Sequence, residues 1–217
     1  MVDNNNIVNM GKRETMDKLI ERKRAGRLQP EQRRQQLLAC AVREFARIGI
    51  GSAVHADVAR EAGVSVPTVF QYFPTREILT TSVIAEVERF LLDILKETIG
   101  KKTSSAETIR EILIGFTDAI DAYPDYIKIW MNWSTIIEGS TWPHYVKFQD
   151  RVLAKFEALI EQGKQAGEVH KEIDATMGAH LIMGSGHMIA QMKFRHRDDA
   201  MVEHFIQSLI ERALFTS

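Results

Sequence analysis

Between His55 and Arg76 the chain reads HADVAREAGVSVPTVFQYFPTR, and its glycine and prolines leave the backbone little choice. Gly63 follows a helix-forming run and supplies the left-handed conformation that a helix end demands. Ser65 is a good N-cap, and Pro67 falls in the first turn of the next helix, where a missing N–H costs nothing. Pro74 disfavours helical geometry at the residue before it, so that helix ends near Phe73. Two short helices joined by a tight glycine-containing turn form the plan of a helix-turn-helix unit.

The flanking sequence is helical as well. From Pro30 onward Leu37, Leu38, Ala41, Phe45 and Ile48 recur on one face until Gly49 stops the pattern, and Cys40 reads as a small core residue. Thr75 is the expected N-cap of a long connecting helix whose stripe is Leu79, Val83, Val87, Phe90, Ile94 and Leu95. Further helices are expected at 105–122, 124–138, 142–166, 174–195 and 198–214, separated by Pro124, Gly139-Ser140, Gly167 and His196-Arg197. No strand or repeat emerges. The expected fold is all-α, with about nine helices. A tail over 1–21 precedes a three-helix head with a basic arm over 22–74 and a helical bundle over 75–217.

Charge is distributed unevenly along the chain. Residues 12–47 hold eleven Lys/Arg against five Asp/Glu, although the whole chain has net charge −1. A basic end on an acidic protein is the footprint of a local polyanion contact, or else a solvated surface. The longest apolar run, AHLIMGSGHMIAQM, is broken before the roughly 20 residues that a membrane helix requires. The first residues lack the apolar core of a secretory signal and one cysteine forms no intrachain disulfide, so a reducing cytoplasm is expected. No HExxH, CxxC, GxSxG or Walker-type pattern occurs, and His180 and His187 lack a neighbouring carboxylate ligand. Neither an enzyme nor a cofactor or metal is expected. The rival to a DNA reader is a ligand-carrying helical bundle whose basic end is incidental.

The stretch GVSVPTVFQYFPTREIL resembles the DNA-binding signature of the TetR family of bacterial transcription regulators. More narrowly, RLQPEQRRQQLL, FARIGIG, HADVA, VSVPTVFQYFPTRE and IKIWMNWS followed by WP are similar to the HapR-type quorum-sensing master regulators of vibrios, over about residues 22–195. Pro67 and Gln71 stand where that type usually has alanine and asparagine, and Ala25 stands at an arginine position of its arm. His55 agrees with the narrower type.

By periodicity Val69, Phe70 and Phe73 should pack inward, leaving Val66, Pro67, Thr68, Gln71 and Tyr72 at or near the outer face, and Ser65 is expected among the DNA-binding residues. Gln71 suits adenine N6 and N7, and Thr68 or Pro67 a thymine methyl, each good bidentate contact giving about 1–3 kcal/mol of discrimination. Tyr72, Thr75, Arg76 and His55 are the expected phosphate contacts, while Arg24 and Arg27 suit a narrow minor groove. Double-stranded DNA is thus the expected partner.

In the bundle, helix 124–138 carries Tyr126, Ile127, Ile129, Trp130, Met131, Trp133, Ile136 and Ile137, apolar nearly all round and therefore buried. Packed core and a cavity suit its tryptophans equally. The resemblance favours a cavity for a neutral hydrophobic ligand, lined by Phe90, Trp130, Trp133, Tyr145, Phe148, Gln149 and Met183, with Gln149 as its polar contact. Helix 174–195 reads as buried on two faces, its Gly178, Gly184 and Gly186 explained by close helix approach or by ligand space. The resemblance also implies a homodimer through the last two helices, at Gly184, Met188, Met192, Val202, Phe205, Ile206, Leu209 and Ala213.

Overall fold

A computed structural model describes residues 28–99, 104–195 and 198–215, and the regular elements among them are all helices. These are α1 (Pro30–Ile48), α2 (His55–Ala62), α3 (Val66–Tyr72), α4 (Arg76–Thr98), α5 (Ser105–Ala122), α6 (Pro124–Thr135), α7 (Trp142–Gln165), α8 (Ala175–Phe194) and α9 (Asp199–Ser208). A π-helical turn, Leu209–Leu214, follows α9. The fold is all-α, as the periodicity implies. Two compact units divide between Glu86 and Val87, inside α4. None of the described helices is long and apolar enough to cross a membrane.

In the first unit the stop signals act as their chemistry requires. Gly49 takes φ 97° and Gly63 φ 65°, conformations that glycine adopts without steric cost. α1 packs on α2 and α2 on α3. Leu37, Phe45, Val58, Val69, Phe73, Leu79 and Val83 are at most 1 % exposed. Each such burial contributes about 1.5–3 kcal/mol, enough to hold helices too short to survive alone.

In the second unit α5 packs against α6, α7 and α8, and α7 runs along α8. Side chains of Ser104, Asp174 and Asp198 cap α5, α8 and α9 by accepting the N–H groups of Glu107, Met177 and Ala200. A Cβ at Gly178 would meet Ile173 Cγ2 at 3.3 Å and Ile160 of α7 at 3.4 Å, so the glycine sits at a closely packed face of α8. Lys193 joins three elements, bonding Asp121 at 2.7 Å and Asp199 at 2.5 Å.

Three expectations are corrected. α6 ends at Thr135, not 138, because Ser134 and Thr135 hydroxyls bond back to the Met131 and Asn132 carbonyls and Gly139 follows at φ 92°. Ile137 is consequently exposed. The final helix is not continuous to 214: the chain passes into the π turn, whose Leu214 carbonyl accepts the His170 N–H at 3.2 Å. α8 is not buried on two faces, for Leu181 and Met188 are 45 % and 49 % exposed.

Candidate nucleic-acid interface and apolar cavity

α3 has seven residues, so its orientation depends on what it packs against. Val69 is buried, Val66, Pro67 and Gln71 are exposed, and Thr68 and Tyr72 are half-buried. The helix is tied to α2 at its C-terminal end. At its start the Ser65 and Thr68 hydroxyls lie 2.8 Å apart; Ser65 occupies the N-cap position without its side chain capping the backbone, a correction to its expected role. At its end His55 Nε2 lies 2.7 Å from the Phe73 carbonyl oxygen. A carbonyl only accepts, so the imidazole proton resides on Nε2. The Phe70 ring stacks on that imidazole at 4.0 Å and 5°, and the Arg34 guanidinium sits 5.2 Å above Phe73.

This arrangement corrects three assignments. His55 is 5 % exposed and committed to the α3 terminus, so it is a latch and not a phosphate contact. Phe70 is 45 % exposed, lying on His55 outside the core. Arg76 spends its guanidinium on backbone carbonyls, donating from Nε to Ala53 at 3.1 Å and from Nη2 to Ile50 and Gly51 at 3.0 and 2.5 Å. It therefore ties the α1–α2 turn to the start of α4. Thr75 Oγ1 accepts the Ile78 N–H as the cap of α4.

The other described arginines of this unit are also engaged. Arg33 bonds Gln36, Arg43 pairs with Glu61, and Arg47 and Arg60 converge on buried Glu44 at 2.6 and 3.2 Å. Arg60 bonds Asp57 too, whose carboxyl is held below its usual range chiefly by the Val54 N–H. Residues 28–86 hold six arginines against six carboxylates, whereas residues 12–27 hold seven Lys/Arg against three. The net positive charge thus belongs to the stretch that includes Arg24 and Arg27, which lie outside the described residues.

In the second unit an apolar cavity of about 70 Å³ is lined by side chains of α4 to α8, among them Leu91, Ile112, Phe116, Trp130, Phe148 and Met183. Trp130, Phe148 and Met183 match the expected lining. Phe90, Trp133, Tyr145 and Gln149 do not reach it. Phe90 packs on Tyr123 and Tyr126 instead. Trp133 is fully buried between Tyr145 and Phe148, with Nε1 donating to the Thr141 carbonyl at 3.0 Å. Tyr145 and His187 sit at Ser134, His187 Nε2 lying 3.1 Å from its hydroxyl. Burial raises the Tyr145 pKa and lowers that of His187, favouring the neutral form of each. Sequence reasoning missed the α4 and α5 wall, whose Leu and Ile positions carry no signal distinguishing cavity from core.

Along α8 the exposed residues Met177, Leu181, Gly184 and Met188 recur at spacings of four, three and four, the spacing of a helix-packing seam. A Cβ at Gly184 would meet nothing within 4 Å. Val202, Ile206 and Leu209 are instead at most 7 % exposed and face their own subunit, which corrects their assignment to a dimer surface. Met192 and Phe205 are half-buried, and Ala213 is exposed.

Residues 37–83 match the family model described as bacterial regulatory proteins of the tetR family. The chain is 31 % identical over 196 residues to the HTH-type transcriptional regulator LuxR of Vibrio harveyi, covering 90 % of this chain and 95 % of that protein. Its fold is also similar to a transcriptional regulator from Saccharomonospora viridis solved in complex with choline. That match has a TM-score of 0.73 and 19 % identity, covering 86 % of this chain and all of that one. A TetR-like regulator from Rhodococcus aligns with a TM-score of 0.71 and 19 % identity, over 85 % and 96 % of the two chains. The helix-turn-helix head, the helical bundle and the full-length likeness to LuxR together make this chain a member of the TetR family, a transcriptional regulator and not an enzyme.

Proposed function

We propose that this protein acts as a homodimer that reads a pseudo-palindromic operator in double-stranded DNA, in the manner of the HapR-type regulators it resembles, with a small neutral hydrophobic molecule as its effector. The observation that carries the reading is the division of α3. Val69 faces the core, whereas Pro67 and Gln71 are exposed on a helix latched at its C-terminal end. Such a face fits the major groove, where Gln71 meets adenine and Thr68 or Pro67 a thymine methyl, with Tyr72 and the first turn of α4 near phosphates. With the arginines of residues 28–86 engaged internally, the polyanion contact falls to the basic stretch that includes Arg24 and Arg27.

The exposed seam of Met177, Leu181, Gly184 and Met188, left uncovered within the subunit, supports a two-fold pairing. Exposed Ala213 and half-buried Met192 and Phe205 border the same pairing. A dimer places two copies of α3 about one helical turn of DNA apart or a multiple of it. The 70 Å³ cavity supports the effector, its lining being free of charge.

Gel-shift titration of wild type and Gln71→Ala on operator, base-substituted operator and random DNA tests this reading. Gln71→Ala should weaken operator binding by about 1–3 kcal/mol and relax preference at one base pair of each half-site. Equal loss on every sequence, or no binding of the wild type at low salt, refutes it.

A further inference from the structure

Two tryptophans one turn apart on α6 face the same bundle interior and are treated differently. Trp133 donates its indole N–H to the Thr141 carbonyl at 3.0 Å. Trp130, 4 % exposed, leaves its Nε1 without a partner, and among the described residues it is the buried side-chain nitrogen or oxygen atom for which none is found. A buried donor left unmade is costly, and tryptophan N–H groups usually find an acceptor when buried. Phenylalanine would fill the position without that cost.

Trp130 also lines the 70 Å³ cavity. Its neighbours there, Ile112, Phe116, Phe148, Ile182 and Met183, offer no side-chain polar group. A buried water needs two to four polar partners, so this cavity is a poor water site. An acceptor oxygen on an apolar skeleton needs one donor only. Gly186 keeps the wall thin beside the ring, since a Cβ there would lie 3.7 Å from Trp130 Cη2 and 3.8 Å from Phe116. The His187 ring packs on the indole with centroids 4.0 Å apart and the planes tilted by 38°, and burial lowers its pKa and so favours its neutral form.

Resting on the effector reading above, we propose that the Trp130 indole N–H is the specificity-determining donor of the cavity, and that the effector is a small apolar molecule bearing one hydrogen-bond acceptor, such as a ketone. The role the sequence gives to Gln149 passes to Trp130. Growth beyond the 70 Å³ void requires movement of Met183, whose unbranched side chain adapts readily.

The test uses the full-length protein with butanone and its isostere 2-methylbut-1-ene, which differ in the acceptor alone. Each is titrated against wild type and Trp130→Phe, with the wild-type indole proton resonances followed by NMR. Butanone should move the Trp130 indole proton downfield, and the ketone-to-alkene affinity ratio should fall about 2- to 10-fold in Trp130→Phe, the worth of one neutral hydrogen bond. If both probes bind with the same ratio in the two proteins and the indole proton stays still, the donor role is overturned while the cavity reading stands. If neither probe binds wild type, both fall. A Trp130 indole proton in contact with an ordered water before any probe is added also overturns the proposal. The wild-type shift needs no variant, so poor folding of Trp130→Phe leaves the test intact.

Discussion

Replacing His55 separates two views of the head, because a latch and a phosphate contact fail differently. In His55→Ala the 2.7 Å bond to the Phe73 carbonyl is removed, and that buried acceptor is left unsatisfied. The hydrogen bond and its orphaned partner account for about 1–3 kcal/mol. Loss of the 4.0 Å stack on Phe70 adds about 0.5–1.5 kcal/mol. The expected destabilisation is therefore about 2–4 kcal/mol, a fall in Tm of roughly 6–12 °C for a chain of this size. Operator affinity should drop because α3 loses its orientation, yet the slope of log affinity against log salt should stay that of wild type, since the same phosphates are neutralised. His55→Gln, which restores an N–H donor without the ring, should recover part of the Tm. Differential scanning fluorimetry and salt-dependent gel shifts decide the matter. An unchanged Tm with a shallower salt slope would show that His55 touches DNA.

Three further outcomes are expected. Leu181→Asp should give folded monomers with weak operator affinity by analytical ultracentrifugation, whereas Val202→Asp, 2 % exposed inside the subunit, should fail to fold; dimers of Leu181→Asp at micromolar concentration would refute the seam. Removal of residues 1–27 should flatten the salt dependence measured by gel shift by roughly 0.9 for each phosphate that is no longer neutralised, since residues 28–86 carry balanced charge, and an unchanged slope would contradict this. Burial holds the His187 pKa below its ordinary value near 6.5, so as pH falls through that value the unfolded chain takes up the proton first and stability is lost. Thermal melts from pH 7.5 to 5.5 should show this loss reduced in His187→Gln, and parallel curves would contradict it.

Local chemistry made the head legible. Gly49, Gly63, Pro67 and Pro74 each dictate a backbone conformation that no distant contact overrides, and α1 to α3 fall where they require. Helical period also separated buried Val69 from exposed Gln71. It did not reveal side chains acting at a distance. His55 and Arg76 reach partners 18 to 26 residues away, and a histidine or arginine near a recognition helix looks the same whether it meets phosphate or carbonyl. The bundle was harder for a related reason. Apolar residues at Phe90, Trp133 and Val202 announce burial but not against what, so core, cavity and partner surface share one pattern. The dimer positions expected on α8 include Gly184 and Met188 of the seam but not Met177 or Leu181, and only the packing of α9 showed that Val202 and Ile206 are already spent.

Two copies of α3 reading base edges from a symmetric dimer is the central claim, and selection of bound sites from random DNA tests it most directly. The expected result is an enriched palindrome whose half-sites are one helical turn or a multiple apart, with the preference at one position of each half-site erased by Gln71→Ala. Enrichment of a single unpaired site, or of no sequence while low-salt binding persists, would contradict it.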